Sequence, residues 1–146
     1  MLREKDTFQR LLKSLEKSRL RVTRKRKHIL AVLVSMDRPV SAADLNKLAQ
    51  LPESDLVTVY RTMEAFQGIG IVQRIPLEEG GCLFEATDLN DRHPHLVCRK
   101  CHRTQRLELE FAAELDRKAR ESGFTKVSHL MEVYGVCEDC QDSGTE

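Results

Sequence analysis

Two pairs of cysteines limit the possible folds of this chain more than any other feature. Cys98 and Cys101 form one Cys-x-x-Cys pair, Cys137 and Cys140 form another, and 35 residues separate the two pairs. Each pair places two thiols on one tight turn, and two such pairs complete a tetrahedral shell of sulfur ligands, which zinc favours. A closed shell has no open position, so the spacing predicts a structural zinc. A redox dithiol and an iron–sulfur cluster on the same four cysteines are the alternatives.

The N-terminus and the apolar runs of the sequence indicate a reducing compartment. The first ten residues, MLREKDTFQR, are too charged for a secretory signal. No stretch approaches the roughly 18–20 consecutive apolar residues that a membrane-spanning helix needs. We therefore expect a cytoplasmic chain with no membrane contact. In that compartment five cysteines indicate metal or redox chemistry rather than a disulfide framework.

Charge is distributed unevenly between the two halves of the chain. Residues 1–75 carry 15 Lys and Arg against 8 Asp and Glu, a formal charge of +7. Residues 76–146 carry 9 against 15, a formal charge of −6. A basic half joined to an acidic half is typical of a protein in which one part meets a polyanion. Two ordinarily solvated surfaces are the alternative interpretation.

The N-terminal half has the apolar spacing of four helices. Helices are predicted at about residues 6–18 and after Thr23, Ser41 and Ser54, because these three side chains can cap a helix N-terminus. The fourth helix should end at Gly68, since glycine commonly follows the last helical turn.

Two β-prone runs follow the fourth helix. Residues 69–77 and 82–86 flank a glycine-containing turn at 78–81, which predicts a β-hairpin. Three or four short helices followed by a hairpin is the winged helix-turn-helix layout. We therefore predict an N-terminal winged helix-turn-helix domain in residues 1–86.

Beyond a hinge at residues 86–91 the sequence pattern changes. A second domain is predicted in residues 91–141, with residues 142–146 as a tail. It should hold three short strands and one helix closed by Gly123. The strands are expected at residues 96–98, 104–109 and 127–134, and the helix at 111–122. The chain is thus predicted to be α+β, with a small C-terminal α/β domain built on a three-stranded antiparallel sheet.

A histidine pair lies just before the first cysteine pair. His93 and His95 are two residues apart, so in an extended segment both imidazoles point to the same side. Together with Glu85 they could bind zinc or divalent iron, although surface histidines without a function are also common. His129 is a second candidate ligand, with Glu108 as a nearby carboxylate. A histidine held by a structural hydrogen bond is the equal alternative there.

Two segments of the basic half are suited to nucleic acid. A run at the start of the second helix neutralises phosphates without reading sequence, although a solvated helix start is the alternative. The face of the fourth helix that is turned away from the core is predicted to carry Val57, Thr58, Arg61 and Thr62, with Tyr60 at its edge. Its hydroxyl, aromatic and guanidinium groups suit insertion into a major groove. The candidate contacts are Arg21, Arg24 and Arg26 in the run and Thr58, Tyr60 and Arg61 on the fourth helix. No nucleophile–base pair and no phosphate-binding glycine loop are visible, so we expect neither an enzyme nor a small-molecule substrate.

Several segments together resemble the ferric-uptake-regulator (Fur) family over roughly residues 8–140. The resemblance implies a winged-helix domain that binds a double-stranded DNA operator, and a C-terminal α/β dimerisation domain that forms a homodimer. It also implies a structural zinc on the four cysteines. A regulatory zinc, iron or manganese ion between the domains would cause repression of metal-homeostasis genes at palindromic operators. The matching segments are residues 20–23, 40–45, 54–66, 70–72, 95–101 and 129–137.

The resemblance also implies roles for single residues. Tyr60 and Arg61 would contact DNA through the recognition helix, and Arg21 would lie near the minor groove. Glu85 and the two histidines, His93 and His95, match three ligands of the family's regulatory site.

The chain departs from the family pattern at the regulatory site. Pro39 replaces the histidine that the DNA-binding domain usually supplies. Arg106 stands where the family often has a carboxylate, and Glu108, two residues further along the strand, could replace it. The fourth regulatory ligand could also be Gln73, Asp88 or water.

An additional metal site of the family is incomplete in this chain. Arg92 and Pro94 take the places of two ligands that His129 would join. A constitutive zinc-containing DNA-binding protein and a redox- or peroxide-responsive regulator are therefore the alternatives to a metal sensor.

Overall fold

The computed structural model describes residues 2–87, 93–108, 111–127 and 131–142. The chain divides into two compact units, Met1–Arg92 and His93–Glu146. Most of the predicted hinge falls on residues 88–92, outside the described part. Within the described residues no helix combines the length and the apolarity needed to cross a bilayer.

Residues 2–87 of the N-terminal unit form four α-helices and a β-hairpin, in the predicted order. The helices are α1 (Leu2–Lys17), α2 (Arg24–Ser35), α3 (Ala42–Leu48) and α4 (Leu56–Gly68), and the strands are β1 (Val72–Pro76) and β2 (Cys82–Ala86). The first helix begins four residues earlier than predicted. Its added turn consists of exposed Leu2 followed by three charged residues, so it adds no buried apolar position to the helical pattern.

Two of the three predicted caps are confirmed. The Thr23 hydroxyl accepts a hydrogen bond from the Arg26 backbone N–H at 3.1 Å. The Ser41 hydroxyl accepts one from the Asp44 N–H, also at 3.1 Å. Each bond satisfies one of the N–H groups that the first turn of a helix leaves without a partner.

The predicted cap at Ser54 is wrong. Ser54 lies inside a 3-10 turn, Glu53–Asp55, which forms directly after Pro52. Within that turn the Asp55 N–H donates to the Pro52 carbonyl. Helix α4 therefore starts at Leu56, preceded by Asp55 and without a side-chain cap hydrogen bond. The proline starts a tighter turn that leads into the helix and moves its beginning two residues past the serine.

The core of the N-terminal unit is formed by apolar faces of the helices and the hairpin. Residues recurring every three or four positions lie inward, as the helical period requires. They include Leu11 and Leu15 of α1, Ile29, Leu30 and Leu33 of α2, and Val59, Met63 and Phe66 of α4.

The wing hairpin is antiparallel and is joined to the helical part by backbone hydrogen bonds. Val72 pairs with Ala86 across the two strands. Val40, just before α3, and Phe84 of β2 exchange hydrogen bonds in both directions. The segment around Val40 thus lies beside the hairpin as a third backbone segment, and its hydrogen bonds hold β2 against the loop that precedes α3.

The described residues of the C-terminal unit form three strands and two helices. They are β3 (His95–Cys98), β4 (Thr104–Arg106), α5 (Phe111–Glu121), β5 (Glu132–Gly135) and α6 (Glu138–Asp142). Strand β3 lies in the middle of the sheet, between β4 and β5. The predicted closure of the helix is confirmed, because Gly123 follows α5 with a positive φ of 86°.

The three predicted strands are confirmed, but the sheet is not wholly antiparallel. Strands β3 and β4 are antiparallel, whereas β3 and β5 are parallel. The chain turns tightly from β3 into β4, then passes through α5 to the other edge of β3. Strand β5 therefore runs in the same direction as β3. Parallel strands need a long connection of this kind, which usually contains a helix. The sequence pattern shows three strands but not the edge that the last one joins.

Candidate metal centres and nucleic-acid interface

The ligand atoms of Cys98, Cys101, Cys137 and Cys140 all lie within 4.8 Å of one another. The Sγ atoms of Cys101 and Cys137 are 3.7 Å apart. A regular tetrahedron with zinc–sulfur bonds of about 2.3 Å has edges of about 3.8 Å. A disulfide would need its sulfurs at about 2.05 Å. The four thiols therefore fit a single tetrahedral ion and not a pair of disulfides.

The parallel pairing of β3 and β5 brings the two cysteine pairs together. Cys98 at the end of β3 is the register partner of Gly135 at the end of β5. Two residues past that glycine, the Cys137 N–H donates to the Cys98 sulfur at 3.4 Å. The turn that carries Cys98 and Cys101 closes through a hydrogen bond from the His102 N–H to the Cys98 carbonyl. Residues far apart in sequence thus meet because two strands end side by side.

The electrostatics of the cluster favour a bound cation. Backbone N–H groups of Cys101 and then Cys137 stabilise the Cys98 thiolate and lower its pKa to about 5. A side-chain hydrogen bond with Cys137, together with burial and the remaining thiols, raises the pKa of Cys140 to about 12. The backbone N–H groups thus favour the Cys98 thiolate, whereas the crowded sulfurs disfavour a negative charge on Cys140. A divalent cation supplies the positive charge that lets all four sulfurs ionise together.

The histidine pair forms a second candidate metal centre in the C-terminal unit. The Nε2 atoms of His93 and His95 are 3.1 Å apart. Two nitrogens bound to one ion at about 2.1 Å lie about 3.0 to 3.4 Å apart in octahedral or tetrahedral geometry. His95 is only 1% exposed. The pair therefore has the separation that a shared divalent ion requires.

A buried carboxylate faces the other nitrogen of His95. The Glu132 carboxylate lies 3.3 Å from His95 Nδ1, and the Glu132 side chain is 5% exposed. Neither carboxylate oxygen has a hydrogen-bond partner within the described residues. A proton on Nδ1 satisfies this charge and leaves the Nε2 lone pair available for a metal. Glu132 could not be predicted from the sequence, because its position beside His95 depends on the parallel register of β3 and β5.

The Arg106 side chain contacts His93. Its Nε group donates to His93 Nε2 at 2.7 Å, and its Nη2 group contacts Nδ1 of the same ring. Arg106 is the β4 partner of His95. The sequence marked Arg106 as a departure from the family pattern, but it did not predict this contact.

The remaining predicted ligands belong to other parts of the chain. Glu85 belongs to the N-terminal unit, where it is half-buried on β2 opposite Gln73. Strand β4 ends at Arg106, so Glu108 lies beyond the strand and is exposed. His129 lies outside the described residues. The fifth cysteine, Cys82, is on β2 in the wing and not in the cysteine cluster.

Three predicted DNA contacts lie on the exposed face of α4. Thr58 and Arg61 are exposed, and Tyr60 is 46% exposed. Thr62, also expected on this face, is instead 3% exposed and belongs to the buried side. A hydroxyl, an aromatic ring and a guanidinium on one open helix face can contact base edges and phosphates.

The basic run lies at the start of α2. Arg21 and Arg24 are exposed, and half-buried Arg26 donates to the Arg21 carbonyl at 2.7 Å. Lys25 pairs with Asp55, ahead of α4, at 2.8 Å. This ion pair joins the basic run to the beginning of the helix that carries the predicted base contacts.

Comparison with known proteins gives the family. A family model described as the ferric uptake regulator family matches residues 17–134. The ferric uptake regulation protein of Neisseria meningitidis serogroup A is 37% identical over 134 residues, covering 89% of this chain and 92% of that protein. The crystal structure of the Vibrio cholerae ferric uptake regulator has a TM-score of 0.67 at 32% identity, covering 86% of this chain and 98% of that one.

A second functional branch is also similar to this chain. The peroxide-responsive repressor PerR of Staphylococcus aureus is 29% identical over 132 residues, covering 88% of each protein.

The chain belongs to the ferric uptake regulator family. It is accordingly a metal-responsive transcriptional regulator of the Fur type.

Proposed function

We propose that this protein is a metal-dependent repressor that binds palindromic DNA operators as a homodimer in the cytoplasm and controls metal homeostasis. The observation that carries the proposal is the 3.1 Å separation of the Nε2 atoms of His93 and His95. Two imidazoles at this distance can bind one ion. They fill only part of its coordination shell, so the ion is held less firmly than in a closed four-ligand site and can exchange.

The cysteine cluster has a structural role in this proposal. Four thiolates saturate a tetrahedral zinc ion, so no position is left for substrate or for an exchanging ligand. Such a zinc contributes its binding energy to folding of the small C-terminal unit. Metal sensing therefore belongs to the histidines and not to Cys98, Cys101, Cys137 or Cys140.

The regulatory centre consists of His93, His95 and Glu85, with zinc, iron or manganese as its ion. Imidazole and carboxylate ligands accept all three metals, so the ligand set leaves the choice to metal availability and geometry. Metal binding at this centre would favour one arrangement of the recognition helices in the dimer. A difference in metal affinity of a few kcal/mol between two arrangements suffices to switch operator binding.

DNA binding is assigned to α4 and to the start of α2. Thr58, Tyr60 and Arg61 read the major groove, whereas Arg21, Arg24 and Arg26 serve the phosphate backbone and the minor-groove edge. The exposure of this α4 face and of Arg21 and Arg24 supports the assignment.

Homodimerisation is assigned to the C-terminal sheet. Leu96 and Val133 are register partners on β3 and β5. They are 36% and 42% exposed, respectively. Adjacent exposed apolar side chains on one sheet face favour burial against a second copy of the chain.

The proposal is tested by fluorescence anisotropy with an operator selected from randomised palindromes. Protein that retains only its tightly bound zinc is titrated with Zn²⁺, and separately with Fe²⁺ or Mn²⁺ without oxygen. We expect at least one metal to raise operator affinity about tenfold, or about 1.4 kcal/mol of coupling. The His93→Ala/His95→Ala double variant should lose this response and keep its zinc. His102→Asn is the matched control, because His102 has a φ of 62° that asparagine tolerates.

The outcomes separate the sensor from its alternatives. A double variant that still responds to metal would show that the histidine assignment is wrong. Flat operator affinity of the unmodified protein in every metal would indicate constitutive binding. Loss of operator binding only after mild peroxide treatment would indicate a redox-responsive regulator.

A further inference from the structure

We infer that Arg106 is an internal competitor for the regulatory metal, which raises the metal concentration at which the protein responds. This inference rests on the proposed function, because it assigns a regulatory role to a residue that contacts the His93–His95 centre. The observation behind it is the pair of contacts between the guanidinium and the His93 ring, one of them at 2.7 Å.

The guanidinium and a metal ion need the same electron pair. A neutral imidazole has one nitrogen that carries a proton and one that carries a lone pair. Arg106 places an N–H group at each ring nitrogen of His93. Whichever tautomer the ring adopts, a donor from Arg106 therefore lies at the nitrogen that would bind the metal. Coordination by His93 requires that this hydrogen bond be broken.

Charge acts in the same direction as geometry. An arginine side chain carries a positive charge throughout the physiological pH range. A divalent cation that binds His93 and His95 is therefore repelled by a fixed positive charge on the neighbouring strand. In the resembling family this strand position often carries a carboxylate, which would attract the ion. The arginine thus reverses the sign of the local electrostatic contribution to metal binding.

The position of Arg106 allows its side chain to leave without unfolding the unit. Arg106 is exposed and ends β4, an edge strand of the three-stranded sheet. A long, flexible side chain at a strand end can turn into solvent when metal arrives. Arg106 therefore lowers metal affinity without blocking the site.

Metal binding to four forms of the full-length, zinc-containing protein tests the inference. They are the unmodified chain, Arg106→Gln, Arg106→Lys and the control Arg117→Gln. The control removes the same charge from α5, where Arg117 pairs with Glu114 and Glu121. Zn²⁺ binding beyond the first equivalent is measured against a chromophoric chelator. Mn²⁺ binding is measured from the electron paramagnetic resonance signal of the free ion, and Mn²⁺ has little affinity for thiolates.

We expect Arg106→Gln to bind the second ion at least tenfold more tightly than the unmodified chain, a change of about 1.4 kcal/mol. Arg106→Lys should give an intermediate affinity, because the charge stays while the forked geometry is lost. Arg117→Gln should bind like the unmodified protein. Adding His93→Ala to Arg106→Gln should abolish the gain, which locates the ion at the histidine.

Two results would overturn the inference, and they are distinguishable. Equal or weaker binding by Arg106→Gln, in a protein that does take up a second ion, would overturn the role of Arg106 and leave the regulatory site standing. No second ion bound by any of the four forms, with either metal, would overturn the proposed regulatory site together with the competitor.

Discussion

The Glu132 carboxylate lies 3.3 Å from Nδ1 of His95, and the two residues are direct partners in the parallel register of β3 and β5. Both side chains are buried, with 5% and 1% of their surface exposed. A carboxylate in this position fixes the tautomer and the ring orientation of a ligating histidine. It directs His95 Nε2 towards His93, whose own Nε2 is 3.1 Å away.

Replacement of Glu132 should weaken the regulatory site without removing a ligand. In Glu132→Gln the negative charge beside Nδ1 is lost. The preference of His95 for a proton on Nδ1 therefore weakens, and its Nε2 becomes less basic. We expect a ten- to 100-fold lower affinity for the second metal ion, measured by the chelator competition described above. Zinc content should be unchanged. Glu114→Gln, an exposed α5 position, is the control, and equal affinities for both variants would show that Glu132 does not act on the site.

Loss of one cluster cysteine should unfold the C-terminal unit. Structural zinc contributes on the order of 10 kcal/mol or more to folding of small domains, so a shell of three ligands cannot hold the unit together. Cys137→Ser should therefore lose zinc, measured by atomic absorption, and hydrogen-exchange protection in β3 and β5. Cys82→Ser provides the matched control, because Cys82 lies on β2 in the N-terminal unit. Full protection and zinc content in Cys137→Ser would contradict the structural role.

The corrected helix caps predict two different effects on stability. Thr23→Ala removes the hydrogen bond to the Arg26 N–H and should cost about 1 kcal/mol of unfolding free energy. Ser54→Ala removes a hydroxyl that precedes α4 without capping it, so it should change little. Urea unfolding of the two variants measures the difference. Equal losses would indicate that Ser54 does stabilise the start of α4.

Arg24 and Arg61 should differ in their effects on DNA binding. Arg24→Ala removes a predicted phosphate contact, so it should weaken operator and unrelated DNA alike and reduce the slope of log K against log salt by about 1. Arg61→Ala removes a predicted base contact and should cost about 1–3 kcal/mol on the operator alone. Anisotropy at several salt concentrations on both DNAs measures this. If both variants showed the same salt dependence and the same loss on both DNAs, both side chains would be contacting the DNA phosphates and not the bases.

Several features follow from local sequence because their causes are local. Thr23 and Ser41 cap helices because a hydroxyl three residues before an N–H can reach it within one turn. The apolar residues of α1, α2 and α4 lie inward because the helical period places them on one face. Four cysteines in two Cys-x-x-Cys pairs indicate one tetrahedral site before any strand is placed.

Local sequence also misled in two places. Pro52 starts a 3-10 turn that displaces the expected cap at Ser54, since two local signals compete there and the turn prevails. Thr62 lies on the buried side of α4, because packing against the core decides the helix rotation by a fraction of a turn.

Only the tertiary structure decided the contacts around the histidine pair. The parallel register of β3 and β5 places Glu132 beside His95, and the antiparallel register of β3 and β4 places Arg106 next to the same residue. A strand's alternating pattern states which side chains share a face, but not which strand lies beside it or in which direction it runs. The amino-acid sequence by itself determined the ligand types and the caps of α2 and α3, whose interactions span a few residues. The buried carboxylate and the competing guanidinium come from pairings between distant strands, whose register is set by packing of the whole unit.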